Sequence, residues 1–437
     1  MRKIYYFHLR FWVRLAIRLF YRNVEIQGEE NLPMEGPVLL APNHQNAFMD
    51  ALLPATLCPR IIHFLVRADV FKSSLARKFF ESIHMMPVYR QRDGIQNLAK
   101  NEETFEKCYE ILRSGQTLLL FPEATHEGVR KLRPLSKGFS RILFGALEGH
   151  EDLDIQVVPY GLNYSNYSDS QSTVLISYGK PISVQDYHDQ FIESKPKAMN
   201  MLKNDLFEAL SKEIIHVEGE NAMRAFDIEL DRILPFLVKS DTRRKNPFYK
   251  SRELALEKLD DDSAYFRRIF VYDAEMKKRK LNAPFFYLER KGAALNLLGS
   301  VFLLLSSPLY LLAWLIHLPG YALIKFFLGK YIKDIQFHSS LKLVGMMLLF
   351  PFFGFIAALT LIFLNSFPYW MDLTILASIP LSVLVVRELR LPYRYNLTFW
   401  RMLIIRLAKK DLYKYLKQIE SEVVENITVH ENNLRHQ

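Results

Sequence analysis

With 437 residues, the chain has room for one large domain with appendages or for two to three modest ones. A formal charge of +10 suits an anionic partner, and apolar segments crowded toward the C-terminus favour a membrane surface over nucleic acid. Only Cys58 and Cys108 are present, without metal-ligand spacing, which leaves no basis for a disulfide framework or a zinc site and fits a reducing compartment.

Residues 4–21 are dense in Tyr, Phe, Trp and Leu, yet Arg10, Arg14, Arg18 and Arg22 recur every four positions. On a helix that spacing gathers the cations into one stripe with the aromatics opposite, the pattern of a helix lying in a bilayer interface. We therefore expect residues 1–22 to form an interfacial amphipathic helix. A cleavable signal peptide fits poorly, because the arginines interrupt the apolar run. An amphipathic core helix is the plainer alternative.

Strands are expected at 23–28, 38–41, 61–66, 86–89, 117–121, 155–160 and 174–178. Helices are expected from 47 onward and over 68–83, 95–114 (stopped by Gly115) and 137–148. Strands alternating with helices predict an α/β domain over 23–185, a mixed sheet flanked by helices.

Residues 186–291 turn helical and charged, with no evident chemistry. Residues 292–390 are apolar. Charge placement in the loops favours a re-entrant hairpin at 293–328, turning near Pro308 or between Pro308 and Pro319, followed by spans at 343–364 and 369–386. That layout keeps the basic loops cytoplasmic; three full spans are the alternative. Residues 391–437 read as a basic helical tail.

Chemistry concentrates where the apolar run Val38–Ala41 exits into Asn43 and His44. A strand-to-loop exit is a rigid, reachable place for a reactive group. The imidazole of His44 can take a proton from a hydroxyl, while Asp50 can hold its tautomer. A capping or surface pair is the ordinary alternative for such a His and Asp. Three further blocks follow in order: Met86–Arg90, Leu118–Thr125 and Val157–Gly161.

These four blocks, spread over roughly the first half of the chain, together resemble the glycerolipid acyltransferases of the PlsC type. The resemblance implies a glycerol-3-phosphate acyltransferase-like domain with a helical extension and a C-terminal membrane-embedded helical region. It implies His44 as general base, Asp50 as its partner, and no acyl-enzyme. The family's usual spacing is His-x4-Asp. Five residues intervene here, which resembles the branch acylating glycerol 3-phosphate and dihydroxyacetone phosphate.

The resemblance further implies Arg90, with Arg92 beside it, on the acceptor's phosphate, a role suited to a planar guanidinium. Glu123 would accept from the acceptor's hydroxyls or organise nearby basic residues. In the third block Ala124 replaces a glycine, and Thr125-His126 stands where Thr-Arg is common. Thr125 and Lys137 are further candidates for the substrate, and Pro159 for the wall on the acyl side.

The implied activity moves a fatty acyl group from acyl-CoA or acyl-carrier protein, as co-substrate and with no cofactor or metal, to glycerol 3-phosphate or dihydroxyacetone phosphate. Lysophosphatidate or another lysolipid is the alternative acceptor, and a non-catalytic lipid-binding membrane protein is the rival of another class. The implied partners are the bilayer, the thioester donor and the phosphorylated acceptor, with no nucleic acid. The implied setting is an integral membrane protein with its catalytic domain on the cytoplasmic face.

Overall fold

Val38–Pro42 is an unbroken apolar run in which all five residues are buried. Continuous hydrophobicity of this kind marks a strand covered on both faces, because alternation is needed only where one face meets water. This strand, β2, sits inside the sheet. The computed structural model describes residues 2–71, 73–89, 100–123, 125, 127–150, 152–232, 248, 263–364 and 369–434.

Among the described residues one sheet holds β1 (Asn23–Gln27), β2, β3 (Ile62–Arg67), β4 (Met85–Val88), β5 (Thr117–Leu119), β6 (Gln156–Tyr164), β7 (Thr173–Tyr178) and β8 (Ile182–Ser183). Its order is β1-β7-β6-β2-β5-β3-β4, with β8 also on β6. β2 lies parallel to β5 and to β6, with Leu40 opposite Leu119 on one side and opposite Val158 on the other. β3 is parallel to β4 and β5, whereas β7 and β8 run antiparallel to β6. The sheet is mixed, as the alternating pattern predicts.

The helices of this unit are α1 (Arg2–Phe20), α2 (Ala47–Leu57), α3 (Ser74–Ser82), α4 (Lys100–Arg113), α5 (Gly138–Leu147), α6 (His188–Glu193) and α7 (Lys195–Glu213). The single helix expected over 68–83 divides into a short 3-10 turn, Ala68–Phe71, and α3, which Ser73 caps by accepting from the Ala76 N–H. α7 shows why a boundary at 185 is too early. Its Ala198, Leu202, Leu206 and Leu210 recur every four residues and join Leu39, Phe139 and Val157 in one buried core. The charged residues that made this stretch look like an extension are its outer face. The compact unit accordingly runs to His216, apart from residues 19–22 and 168–173.

The second unit comprises those two short segments and Val217–Gln437. Its helices are α8 (Glu220–Arg232), α9 (Ser263–Lys278), α10 (Phe285–Lys291), α11 (Ala293–Tyr331), α12 (His338–Leu364), α13 (Tyr369–Ala408) and α14 (Lys410–Leu434). The re-entrant hairpin expected at 293–328 is instead one continuous helix of 39 residues, with Pro308 and Pro319 inside it. A turn in apolar surroundings would strand backbone N–H and C=O groups, and a proline forfeits only one donor. The tail expected from 391 is likewise no separate piece: α13 runs through Pro380 and Pro392 to Ala408, and Glu420 on α14 accepts from the Phe285 N–H at 2.8 Å. Ala293–Tyr331 and Ile335–Thr360 are each long and apolar enough to cross a membrane. Polar side chains tie the long helices together: His317 to Ser382 (2.8 Å) and Asn396 to Ser300 (2.7 Å).

The sheet also half-buries a titratable pair. His63 on β3 lies edge-on to His84, with ring centroids 4.8 Å apart, and burial together with the His84 charge pulls its pKa from 6.5 down to about 4. Between those values the unfolded chain binds a proton that the folded chain resists, so stability falls as pH drops through that window. Thermal denaturation at pH 7 and pH 4.5 should show that loss, and His63→Gln should make it smaller.

Candidate active site

In an open α/β sheet, loops at the carboxyl ends of neighbouring parallel strands converge where connections leave in different directions. β2, flanked by β5 and β6, is such a place. The chain leaves β2 into Asn43 and His44, leaves β5 into Phe121 and Glu123, and leaves β6 at Tyr164. Asn43 is locked by both backbone groups of Leu162, donating to its carbonyl at 3.0 Å and accepting from its N–H at 2.7 Å. That clamp holds the start of the loop, so His44 begins from a fixed backbone.

The His44 ring stacks on Phe121, centroids 3.9 Å apart at 18°. Its Nδ1 lies 2.9 Å from Asp50 Oδ2. Because Asp50 also accepts from the N–H groups of Gln45 (2.8 Å) and Asn46 (2.7 Å) and from the Tyr164 hydroxyl (2.6 Å), its carboxylate is saturated with donors. An acceptor held this way keeps the proton on Nδ1 and turns Nε2 into the basic nitrogen. Asp50 is fully buried at the first turn of α2, where the helix dipole favours a negative charge.

The fifth intervening residue is absorbed by the backbone. Ala47 has φ of 39°, in the left-handed region that costs an L-residue on the order of 1 kcal/mol. That bend falls between His44 and Asp50, whose side chains meet across the His-x5-Asp spacing.

Glu123 forms the floor. One oxygen accepts from the His44 N–H at 2.7 Å, the other from Arg133 Nε at 2.8 Å and from the Arg133 N–H at 3.2 Å. Burial pushes its carboxyl up, and the His44 amide and the Arg133 guanidinium work against that shift. Glu123 thus holds a basic residue, Arg133, by both its side chain and its backbone N–H. Arg133 also donates to Thr125 Oγ1 at 2.6 Å and to the carbonyl of His44 at 3.4 Å. A guanidinium from further along the chain thus stands beside Thr125.

His44, Asp50, Glu123 and Thr125 are therefore brought together. Arg90 and Arg92, expected on the acceptor's phosphate, lie outside the described residues. Lys137 is exposed just before α5, and among the described residues its side chain makes no hydrogen bond or ion pair with the His44 cluster. Pro159 is buried in β6 opposite Ala41, a sheet position.

Sequence reasoning missed Arg133, Tyr164 and a second bracket around the loop. In that bracket Asn46 donates to the Tyr167 carbonyl (3.0 Å), Tyr167 donates to Gln45 Oε1 (2.9 Å), and the Arg130 guanidinium covers the Tyr167 ring at 4.7 Å. Arg130 and Arg133 occupy an irregular loop with no periodicity to flag them. Tyr164 lies beyond the strand expected at 155–160, because β6 runs four residues further.

The model of the acyltransferase family matches residues 23–163, the stretch that holds His44, Asp50 and Glu123. That stretch is therefore similar to an acyltransferase domain, and its relatives are glycerolipid acyltransferases. Glycerol-3-phosphate O-acyltransferase 2 of Saccharomyces cerevisiae is 27% identical over 112 residues, 24% of this chain and 15% of that protein. A chloroplastic 1-acyl-sn-glycerol-3-phosphate acyltransferase of Brassica napus is 27% identical over 138 residues, 31% of this chain and 38% of that protein. The chain thus spans well under half the length of either relative. The crystal structure of the 1-acyl-sn-glycerophosphate acyltransferase PlsC from Thermotoga maritima aligns at a TM-score of 0.35 and 17% identity, over 48% of this chain and 80% of that one.

The acyltransferase domain depends on the Glu123–Arg133 pair, whose carboxylate side chain is fully buried. Removing one member of such a pair strands the other, so Arg133→Gln should lower the unfolding free energy by about 3 kcal/mol. The double variant Glu123→Gln/Arg133→Gln should recover part of that loss. Denaturant unfolding of the two variants beside wild type checks both.

Proposed function

We propose that the domain transfers a fatty acyl group from an acyl thioester, acyl-CoA or acyl-carrier protein, to a hydroxyl of glycerol 3-phosphate or dihydroxyacetone phosphate. The observation that carries this reading is the His44–Asp50 pair, set on a clamped loop at the end of the central strand. His44 Nε2 takes the proton of the acceptor's hydroxyl as its oxygen attacks the thioester carbonyl. Asp50 stabilises the imidazolium so formed. The tetrahedral intermediate collapses, the carbon–sulfur bond breaks, and the imidazolium returns its proton to the leaving thiolate. No group on the protein is acylated, and no metal or other cofactor is called on.

The acceptor's phosphate falls to guanidinium groups, with Arg90 and Arg92 as the candidates and Arg133 already fixed beside His44. Glycerol 3-phosphate is preferred over lysophosphatidate on the His-x5-Asp spacing. The sequence likeness to enzymes named for each acceptor keeps lysophosphatidate as the second reading. The apolar helices α11 and α12 support anchorage in a bilayer.

Acyl transfer by the detergent-solubilised chain, offered glycerol 3-phosphate, dihydroxyacetone phosphate and lysophosphatidate in turn, tests the assignment. His44→Ala should reduce the rate with the accepted substrate by on the order of a hundredfold or more. If wild type acylates none of the three, the glycerol-phosphate reading fails. Tyr164→Phe removes one of the donors that hold Asp50 and should lower kcat by about tenfold, the equivalent of one charge-assisted hydrogen bond, while leaving KM nearly unchanged.

A further inference from the structure

Two arginines of α1, Arg10 and Arg14, are partly covered, while Arg18 is exposed. Arg10 and Arg14 turn toward the C-terminal end of α2. Arg14 Nε donates to the Thr56 carbonyl at 2.8 Å, and Arg10 donates to the carbonyls of Thr56 (3.3 Å) and Cys58. The opposite aromatics stay outside: Tyr5, Phe7, Phe11 and Trp12 are each about half exposed.

Between α1 and the body of the acyltransferase unit lies a cavity of about 560 Å³. Arg10, Arg14 and Arg18 line it, together with Phe7 and Phe11 at its outer side and the single carboxylate Glu29. Among the described residues neither Arg14 nor Arg18 forms an ion pair. Three guanidiniums facing one carboxylate leave an excess of positive charge there, with Arg10 and Arg14 partly covered and Arg18 open to solvent. Burial, and then repulsion from Arg10 and Arg18, hold Arg14 below the ordinary guanidinium range. Such a cluster is costly without an anion.

We propose that this cavity is a binding site for the phosphate of an anionic phospholipid, whose acyl chains run out along the exposed Phe7 and Phe11. Guanidinium forks match phosphate oxygens, and half-exposed aromatic rings suit the depth at which a headgroup meets its chains. The arrangement makes α1 a lipid-selective element as well as an apolar one. It is separate from the catalytic pair. His44 and Asp50 stand at the N-terminal end of α2 and the cavity at its C-terminal end, with Leu57 in its wall, roughly 10 Å along the helix. The proposal does not depend on the acceptor assigned above.

The test uses the full chain in detergent, offered phosphatidylglycerol or phosphatidylcholine of matched chains, with retained lipid counted by native mass spectrometry. Wild type should retain phosphatidylglycerol about tenfold more than phosphatidylcholine. Arg14→Gln/Arg18→Gln, which leaves the Arg10 anchor in place, should abolish most of that preference. Glu29→Gln removes the opposing carboxylate and should strengthen it, a gain that a folding defect cannot produce. Equal preference in wild type and the arginine double variant would overturn the proposal. So would displacement of the lipid by millimolar inorganic phosphate, which would reassign the cavity to a soluble phosphate.

Discussion

A carboxylate with no exposure to water must find its donors inside the protein, and Asp50 finds four. Much of the surrounding architecture supplies them. The two backbone amides exist because the chain bends back on itself at Gln45 and Asn46. The hydroxyl exists because β6 outruns β2 and carries Tyr164 past the last paired residue, Tyr160. What is left for His44 is one oxygen at 2.9 Å in a fixed direction. A charge that is fully satisfied by rigid groups is an orienting device, because rotating the imidazole away would unpair one of its donors.

The second carboxylate, Glu123, works through the backbone instead. By accepting from the His44 amide and from Arg133 it joins the exits of β2 and β5, which also meet through the sheet ladder and the His44–Phe121 stack. The two acids therefore divide the work, Asp50 fixing the ring and Glu123 fixing the main chain beneath it. Both have burial against them, and both are balanced by named donors.

The parts of this plan that could be read from the sequence are those set by local periodicity or by residue chemistry. The apolar run of β2, the alternation of strands and helices, and the His and Asp at a strand exit all carry local signals. The Arg133 and Tyr164 contacts carry none, because each depends on which strands become neighbours. α7 was legible as a helix but not as part of the core, since its leucine stripe gains meaning only against β6. The hairpin expected at Pro308 and Pro319 failed for a different reason. Proline is a strong break in water, where a freed carbonyl is solvated, and a weak one in an apolar bundle, where ending the helix costs more than keeping it. Loop charges predicted a turn that backbone hydrogen bonding forbids.

α2 joins these threads. Its N-terminus faces the buried Asp50, and its C-terminal carbonyls face Arg10 and Arg14 of α1, so each end of the helix dipole meets a charge of the favourable sign. Pro54 within α2 removes a donor but leaves the first turn, which carries Asp50, intact. The arginines recurring along α1 thus have a structural reason that no reading of α1 alone could supply: two of them complete a helix of the same compact unit. A side chain can cap a helix with one nitrogen and still present others to an anion, because a guanidinium carries five donors in a plane. Arg14, bonded to α2 through Nε and lining the cavity with the remainder of its fork, is built for both roles.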